Sequence, residues 1–322
     1  MILPNSGLEP AIARRLADSG HRIIITGASG WIGLATLDLL AQAFGDDFAT
    51  RIWCFGSSAR DLSLGNGRTI SQRPLSELAS LPPSPSLLLH LAFLTKDKVA
   101  GISEADYIAA NHAITQAVAE ALLVVDVRAL WVASSGAAYR ADDASAAPAM
   151  QLYGRLKRDD EDRFATWAQT TGRRAVIIRV FNVSGPHINK PEHYALASFI
   201  LDALAGRPVV VKAPHRVERG IVAIRELMNV VFAELLGAVS GVERFDSGGV
   251  AAELGEIAAE VAQVLGAPGA QRAAISGTRI DRYLGDEAIW DGLCRRHGVM
   301  RVGMADQIRE TAAFLAEAVD PT

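Results

Sequence analysis

The chain has 322 residues, of which 50% are hydrophobic and 21% are charged, and its formal net charge is −4. This composition can build a sizeable core, and the mild acidity provides no basic field for binding nucleic acid. No run reaches the roughly 18 apolar residues that a membrane helix needs, so we expect no membrane partner. The two cysteines, Cys54 and Cys294, suit neither a disulfide framework nor a zinc site. We therefore expect a cytoplasmic protein without a metal site.

The order of the predicted elements indicates an α/β fold. The first segment predicts a short amphipathic helix with Ile12 and Leu16 on one side, and it lacks the apolar core of a signal peptide. Short buried runs then alternate with helical patterns, which predicts a doubly wound parallel (Rossmann) sheet. In chain order the predicted elements are strand 22–26, helix 31–44, strand 51–55, strand 86–91, helix 105–124, strand 129–133, helix 152–170 and strand 174–180.

The alternation loosens after Phe181, which suggests two domains. We expect a dinucleotide-binding domain over residues 1–181, including the N-terminal helical extension. Residues 182–322 then form mainly a smaller substrate-binding lobe, interleaved with the last elements of the sheet. Within this second part we expect a short strand in 206–214 and helices over 254–265 and 305–318.

A glycine-rich turn, GASGWIG, joins the first predicted strand to the first long helix. In this context Gly27 would permit a tight turn, Gly30 would let the backbone approach a pyrophosphate, and Gly33 would allow close packing of helix on strand. The helix N-terminus would offer free N–H groups and a positive dipole end to the phosphates. The alternative, for the glycines alone, is an ordinary βα turn.

A second motif, YGRLK, places Tyr153 and Lys157 four residues apart on a predicted helix. Residues at this spacing share one face, so the ammonium can lie near the phenol. A neighbouring positive charge lowers the phenol pKa from its usual value of about 10, toward the range of a general acid or base. Taken alone the motif is weak, because a half-buried tyrosine and a surface lysine would also fit it.

Further segments follow the glycine turn in a consistent order. They are a serine pair at Ser134 and Ser135, HLAF at 90–93, Asn111, RVFNVSGPH at 179–187, RGIVAIREL at 219–227 and FDSGG at 245–249. Together with the G-x-x-G-x-x-G turn and YGRLK, they resemble the short-chain dehydrogenase/reductase superfamily. The resemblance is closest to its extended branch, the NAD(P)-dependent epimerase/dehydratase family, and it covers nearly the whole chain.

The resemblance implies a catalytic triad. Ser135 would hydrogen-bond the substrate oxygen, Tyr153 would exchange the proton, and Lys157 would hold the nicotinamide ribose. Ser135 matches the family better than Ser134 because it lies four residues before Tyr139. The implied cofactor site consists of Gly27, Ser29, Gly30, Trp31, Ile32, Gly33, Ser57, Ser58, Arg60, Leu91, Ala92, Phe93, Asn111, Ala133, Tyr153, Lys157 and Val180. The implied substrate site consists of Ser135, Gly136, Asn182, His187, His193 and Arg219. For the two histidines, local hydrogen bonding within the loop is the alternative.

The end of the second predicted strand bears on the choice of cofactor. It continues as Phe55-Gly56-Ser57-Ser58-Ala59-Arg60, without the carboxylate that would bind the ribose hydroxyls of NAD. The serines and Arg60 could instead hold a 2′-phosphate, so NADP is favoured and NAD is possible. The alternative is that Arg60 is a solvated surface charge. The acidic residue with which the family contacts adenine is also missing from TISQRPL, at 69–75.

The implied reaction is reversible hydride transfer at a carbonyl or hydroxyl carbon. Sugar dehydratases of the family carry Asp-Glu after the catalytic serine position, where this chain has Gly136 and Ala137, so we expect an epimerase or ketoreductase. Asn182 and Arg219 match diphosphate-contacting positions, which favours a nucleotide-sugar substrate. The alternatives are a reductase of non-sugar carbonyls and a catalytically silent NADP-sensing regulator.

Members of the family often pair through the two long helices that here contain Asn111 and Tyr153. Small residues would allow close approach of the first helix to a second copy, so we expect a homodimer. The alternative is that these residues pack against the sheet of their own chain. The small or apolar positions are Ala109, Ala110, Ala113, Ala117, Val118 and Ala121.

Overall fold

The computed structural model describes residues 7–319, with the backbone alone at 98–100, 318 and 319. The described chain divides into two compact units. The sheet unit comprises residues 7–180 and 228–246, and the second unit comprises residues 181–227 and 247–319.

The described helices are α1 (Pro10–Asp18), α2 (Trp31–Phe44), α3 (Phe48–Arg51), α4 (Glu104–Val124), α5 (Pro148–Thr171), α6 (Ala195–Leu204), α7 (Ile224–Leu235), α8 (Leu254–Leu265), α9 (Glu287–His297) and α10 (Met304–Val319). The described strands are β1 (Arg22–Thr26), β2 (Ile52–Gly56), β3 (Arg60–Ser63), β4 (Thr69–Pro74), β5 (Ser86–His90), β6 (Val127–Ser135), β7 (Arg174–Val180), β8 (Asn182–Ser184), β9 (Val209–Val211), β10 (Arg216–Ala223), β11 (Gly241–Asp246), β12 (Val250–Glu253), β13 (Ala270–Arg272) and β14 (Ile280–Tyr283).

The sheet unit is built on eight strands in the order β11-β7-β6-β5-β1-β2-β4-β3. Neighbouring strands run parallel except for β3 and β4, which form an antiparallel hairpin at one edge. The strand order runs outward in both directions from β1 and β5, which makes the carboxyl ends of these two strands the switch point where such folds bind ligands. The predicted α/β class with a mostly parallel sheet is confirmed.

The core of the sheet unit contains the apolar residues in the middle of its central strands. The three isoleucines of β1, Ile23 to Ile25, are fully buried, as expected for a parallel strand covered on both faces. One buried cluster joins Ile24 to Val118 of α4 and Phe164 of α5, so both helices pack on the sheet. At the N-terminus, the predicted amphipathic helix is α1, and Ile12 and Leu16 are its buried residues.

Several predicted boundaries differ from the structure. Strand β2 begins at Ile52 because Arg51 still belongs to α3, and β5 ends at His90. Strand β6 runs through Ser135, so the serine pair lies inside the strand end. Helix α5 begins at Pro148, a residue well suited to a first helical turn. The β3–β4 hairpin was not predicted, because its strands are short and polar, as edge strands often are.

The second unit contains two small sheets. In the larger one, β10 pairs antiparallel with β12 and parallel with β14 and β8, and in the smaller one β9 pairs parallel with β13. Helices α6, α8 and α10 belong to this unit, whereas α7 crosses the boundary between the two units. Across residues 7–319, none of the helices has the length and apolar character that a bilayer crossing requires.

Candidate active site

The glycine turn lies between β1 and α2, at the switch point of the sheet. Gly27 has a φ of +72°, and a Cβ there would lie 2.7 Å from the backbone nitrogen of Ala92. A Cβ on Gly33 would lie 2.5 Å from the carbonyl oxygen of Ala28. Both positions therefore require glycine, one for its conformation and both for close backbone approach. Gly30 caps α2, whose N-terminus begins with the predicted site residues Trp31 and Ile32.

Gln72 of β4 connects this turn to the segment after β2, a role that the sequence did not reveal. Its side-chain oxygen accepts a hydrogen bond from the Ser29 amide at 3.2 Å, and its amide nitrogen donates to the Ser58 carbonyl at 2.8 Å. Gln72 is 1% exposed and fills the space beside Gly56, where a Cβ would lie 2.4 Å from the Gln72 Cδ. The side chain of Gln72 thus fills the space that a side chain at position 56, the last residue of β2, would otherwise take.

The exposed segment after β2 carries the predicted determinants of cofactor choice. Ser57, Ser58 and Arg60 are all exposed, and the Arg60 guanidinium donates to the Ser58 hydroxyl at 3.1 Å. Asp61 accepts a hydrogen bond from the Ser71 hydroxyl across the hairpin at 2.7 Å. The carboxylate nearest in sequence is therefore bound within the hairpin.

Asn111 of α4 fixes the segment that follows β5. Its side-chain oxygen accepts from the Leu94 amide at 2.8 Å, and its amide donates to the Tyr107 carbonyl at 3.1 Å. The Tyr107 hydroxyl in turn donates to the Leu94 carbonyl at 2.7 Å. Asn111 is 1% exposed. Its hydrogen bond to the Leu94 amide fixes the backbone directly after the predicted cofactor residues Leu91, Ala92 and Phe93.

The two serines at the end of β6 have different partners. Ser134 donates to the buried carboxylate of Glu161 at 2.5 Å. The Ser135 hydroxyl accepts from the Ala137 amide at 3.2 Å, where a 3-10 turn, Gly136–Arg140, begins. In the sheet Ser135 lies opposite Val180 of β7. Ser134 thus hydrogen-bonds the carboxylate of the Glu161–Arg179 ion pair, whereas Ser135 lies where the strand passes into the 3-10 turn.

Lys157 lies in the protein interior beside Tyr153 and Phe93. Its side chain is almost completely covered, and its ammonium donates to the Ala133 carbonyl at 2.8 Å. The ammonium is 3.8 Å from the Phe93 ring centroid, and the Tyr153 ring meets Phe93 edge-on at a centroid distance of 5.6 Å. The lysine is therefore not a surface residue of the charged run, and Phe93 contacts both members of the pair.

Burial and nearby carboxylates act in opposite directions on the lysine. Burial lowers the pKa of Lys157 to about 8, while Asp160 and Glu161 raise it. Glu161 is fully buried and receives two hydrogen bonds from Arg179, at 2.8 and 2.7 Å. The ammonium thus shares the buried face of α5 with two carboxylates.

Gly154 brings α5 against the turn that follows Ser135. A Cβ at this position would lie only 2.2 Å from the carbonyl oxygen of Ala137. The glycine therefore allows the Tyr153 helix to touch the 3-10 turn, and any larger residue would push the two apart. The motif YGRLK contains this glycine, but sequence alone did not show what it contacts.

The predicted diphosphate contacts lie in the second unit. Asn182 donates to the Gly220 carbonyl at 3.0 Å. The Arg219 guanidinium donates to the carboxylate of Asp281 at 2.8 Å and to its carbonyl at 3.1 Å. Arg219 is thus held by one acidic residue of β14.

The two predicted loop histidines also belong to the second unit. His187 has a φ of +65°, unusual for a residue other than glycine, and its ring lies 5.1 Å from that of Phe314. His193 is exposed and lies 3.4 Å from the carboxylate of Glu192. Among the residues that the structure describes, no group of three or more His, Cys, Asp or Glu side chains could hold a metal ion.

The mostly parallel sheet and the glycine turn at its switch point define a Rossmann-type dinucleotide-binding fold. The chain belongs to the NAD dependent epimerase/dehydratase family, whose model matches residues 23–242. This assignment confirms the family predicted from the motifs. A comparison with curated proteins gives no match.

Solved structures of nucleotide-sugar enzymes share the fold at low sequence identity. The UDP-N-acetylglucosamine 4-epimerase of Methanobrevibacter ruminantium M1, in complex with UDP-N-acetylmuramic acid, has 18% identity and a TM-score of 0.70 over 92% of this chain and 99% of its own. The UDP-glucuronic acid 4-epimerase of Bacillus cereus, with UDP-glucuronic acid and NAD, has 16% identity and a TM-score of 0.65 over 92% and 99%. A dTDP-glucose 4,6-dehydratase double mutant from Streptomyces venezuelae, with NAD bound, has 18% identity and a TM-score of 0.65 over 92% and 97%.

Proposed function

We propose that this protein is an NAD(P)-dependent epimerase or ketoreductase that transfers hydride at a carbonyl or hydroxyl carbon of a nucleotide sugar. The observation that carries the proposal is the buried ammonium of Lys157, which shares Phe93 as a neighbour with the Tyr153 ring. A buried lysine next to a half-buried tyrosine serves no obvious packing purpose. The arrangement suits a phenol whose acidity is set by a fixed positive charge.

The proposed roles follow from the chemistry of each side chain. The glycine turn, where a Cβ would strike backbone at Gly27 and Gly33, fits a dinucleotide, and the bound nicotinamide would supply or accept the hydride. Tyr153 would move the proton at the substrate oxygen, and Ser135 would hydrogen-bond the same oxygen. Lys157 would lower the pKa of the Tyr153 phenol and bind the ribose.

Elimination of water is disfavoured by the residues after Ser135. Gly136 and Ala137 are buried and provide no carboxylate that could act as an acid or base. The fold does not distinguish epimerases from dehydratases, because solved structures of both kinds of enzyme share it. We therefore place the chain with the enzymes that need only the Ser/Tyr/Lys set.

The substrate class is supported by the enzymes of similar fold, which bind UDP sugars in the M. ruminantium and B. cereus structures. Arg219 could offer its guanidinium to a diphosphate. One observation favours the second candidate, a reductase of non-sugar carbonyls. Arg219 already binds Asp281 through two hydrogen bonds, so a diphosphate would have to compete with that carboxylate.

Turnover of nucleotide sugars tests the function directly. Incubation of the protein with UDP-glucose, UDP-N-acetylglucosamine and UDP-glucuronic acid, each with NAD or NADP, should give the C4 epimer of at least one sugar by proton NMR. A ketoreductase would instead oxidise NADPH with a keto-sugar, seen as a loss of absorbance at about 340 nm. Turnover of simple aldehydes alone would favour the second candidate, and no turnover with any of these substrates would refute both.

Cofactor preference depends on Arg60. We expect NADP to bind more tightly than NAD, because Ser58 and Arg60 are exposed where a 2′-phosphate would lie and no carboxylate ends β2. The family description and the NAD complexes argue for NAD. Arg60→Ala should weaken NADP about 10-fold, the effect of losing one charge-assisted hydrogen bond, and leave NAD as an internal control. Equal losses for both cofactors, or tighter binding of NAD by the unmodified protein, would contradict this preference.

We also infer a homodimer through α4 and α5, in a reducing compartment such as the cytoplasm. On α4, Ala109 and Ala113 are exposed and available for contact, whereas Val118 and Ala121 pack in the core of their own chain. Cys54 and Cys294 are free and buried, and burial raises the pKa of each thiol to about 12. Such thiols are inert and need no oxidising environment.

A further inference from the structure

Two buried polar atoms face each other near Lys157. The Asp160 Oδ2 atom and the His90 Nε2 atom are 3.8 Å apart, and neither has a hydrogen-bond partner among the described residues. Asp160 is 4% exposed and His90 is 3% exposed. Unpartnered buried polar atoms are costly and rare, so a pair of them on facing elements calls for an explanation.

The surroundings of His90 favour one of its two neutral tautomers. Thr26 Oγ1 lies 3.0 Å from His90 Nδ1 and accepts a hydrogen bond from the Ala92 amide. The Thr26 hydroxyl can still donate its own proton to Nδ1, and the facing Asp160 carboxylate favours the tautomer with the imidazole proton on Nε2. Burial, aided by the charge of Lys157, lowers the pKa of His90 to about 3, so the ring is neutral. A neutral His90 therefore directs an N–H toward Asp160.

Of the two carboxylates that raise the pKa of Lys157, Asp160 has one oxygen, Oδ2, without a hydrogen-bond partner among the described residues. Its Oδ1 atom accepts from the Thr115 hydroxyl at 2.5 Å, while Glu161 is already bound by Arg179 and Ser134. Burial raises the pKa of Asp160, and the ammonium of Lys157 opposes that rise. The charged or titratable groups that act on Asp160 or Lys157 from the surrounding elements are His90 of β5, His112 of α4, and Asp159 and Glu161 of α5.

We propose that Asp160, which accepts a hydrogen bond from Thr115 and shares the buried face of α5 with Lys157, is a positioning residue that keeps Lys157 protonated in the pH range where Tyr153 must act. The inference rests on the proposed function, because it assigns the carboxylate a purpose in tuning the phenol. Burial lowers the pKa of Lys157, and Asp160 and Glu161 raise it. If Asp160 loses its charge, only Glu161 opposes the effect of burial, so Lys157 loses its proton at a lower pH. Above that pH the phenol lacks its positive neighbour.

The titration of Lys157 tests the electrostatic step without requiring turnover. The chain has only five lysines, so carbon NMR of lysine labelled at Cε gives few signals, and a Lys157→Arg spectrum assigns the one of interest. Asp160→Asn preserves shape and removes the charge. It should lower the titration midpoint of Lys157 by about one pH unit, because it removes a buried opposite charge from the same face of α5. An unchanged midpoint in the folded variant would overturn the proposal.

Asp159→Asn is the matched control, because it removes the same charge from the next residue, which is exposed. Its effect on the Lys157 midpoint should be far smaller, and an equal effect would contradict a specific role for Asp160. In the active enzyme, Asp160→Asn should move the alkaline limb of the pH–kcat profile down by the same interval as the Lys157 midpoint. A shifted midpoint with an unmoved profile would mean that the charge held by Asp160 has no effect on proton transfer, and it would overturn the positioning role. If no substrate turns over, the proposed function fails, and the titration alone still decides whether Asp160 holds the lysine charged.

Discussion

Tyr153→Phe should lower kcat on the order of 10³-fold and leave the Kd of the cofactor within severalfold. The substitution removes only the phenolic oxygen, which is the group proposed to exchange the proton, and general acid–base catalysis contributes about 10² to 10⁴ in rate. The ring would keep its edge-on contact with Phe93. Steady-state kinetics with a substrate that the turnover assay identifies, together with cofactor titration by fluorescence, measure the two quantities.

Tyr139→Phe is the matched control for that experiment. Its hydroxyl donates to Asp246 at 3.1 Å, and its ring stacks on the Arg179 guanidinium, a contact that phenylalanine retains. This variant should keep kcat within a few-fold. If Tyr153→Phe behaved like Tyr139→Phe, the proton would have to travel by another group, and the proposed mechanism would be wrong.

The sequence predicted the fold well wherever burial was uniform. Strands β1 and β7 and helix α2 match their predicted bounds, because an apolar run between turn residues has few other solutions in an α/β fold. The β3–β4 hairpin escaped prediction because its residues are largely polar and its pairing with β2 is a tertiary contact. The role of Gln72 was hidden for the same reason, since only the hairpin brings it to the glycine turn.

The candidate site divides in a similar way. The glycine turn could be predicted because tight approach of backbone to backbone demands a residue without Cβ, which the sequence displays directly. The burial of Lys157 could not be read from the hydrophilic run RLKRDDEDR. A helical spacing was nevertheless present, since Lys157, Asp160, Glu161 and Phe164 follow i, i+3, i+4 and i+7 and all are buried. Phe164, the apolar member of that series, was the sequence signal that this face of α5 is buried although it also carries Lys157, Asp160 and Glu161.

Gly154→Ala should reduce kcat about 100-fold with only a modest loss of stability. The added Cβ would lie 2.2 Å from the Ala137 carbonyl oxygen, and a backbone atom cannot turn aside as a side chain can. Helix α5, which carries Tyr153, must therefore move away from the turn after Ser135. A displacement of about 1 Å can lower the rate about 10²-fold. Overpacking lowers the free energy of unfolding by about 1–3 kcal/mol, and the higher helix propensity of alanine offsets about 1 kcal/mol of that loss.

Gly292→Ala supplies the comparison that isolates this clash. Gly292 also lies within a helix, α9, but nothing stands within 4 Å of a Cβ built on it. That variant should gain up to about 1 kcal/mol in the free energy of unfolding and keep its kcat, because it has the propensity benefit without the steric cost. Chemical denaturation and steady-state kinetics on both variants separate the two effects. If Gly154→Ala were as active as Gly292→Ala, the close contact between α5 and the Ser135 turn would be irrelevant to catalysis. If it were also as stabilised, the predicted steric clash would be wrong.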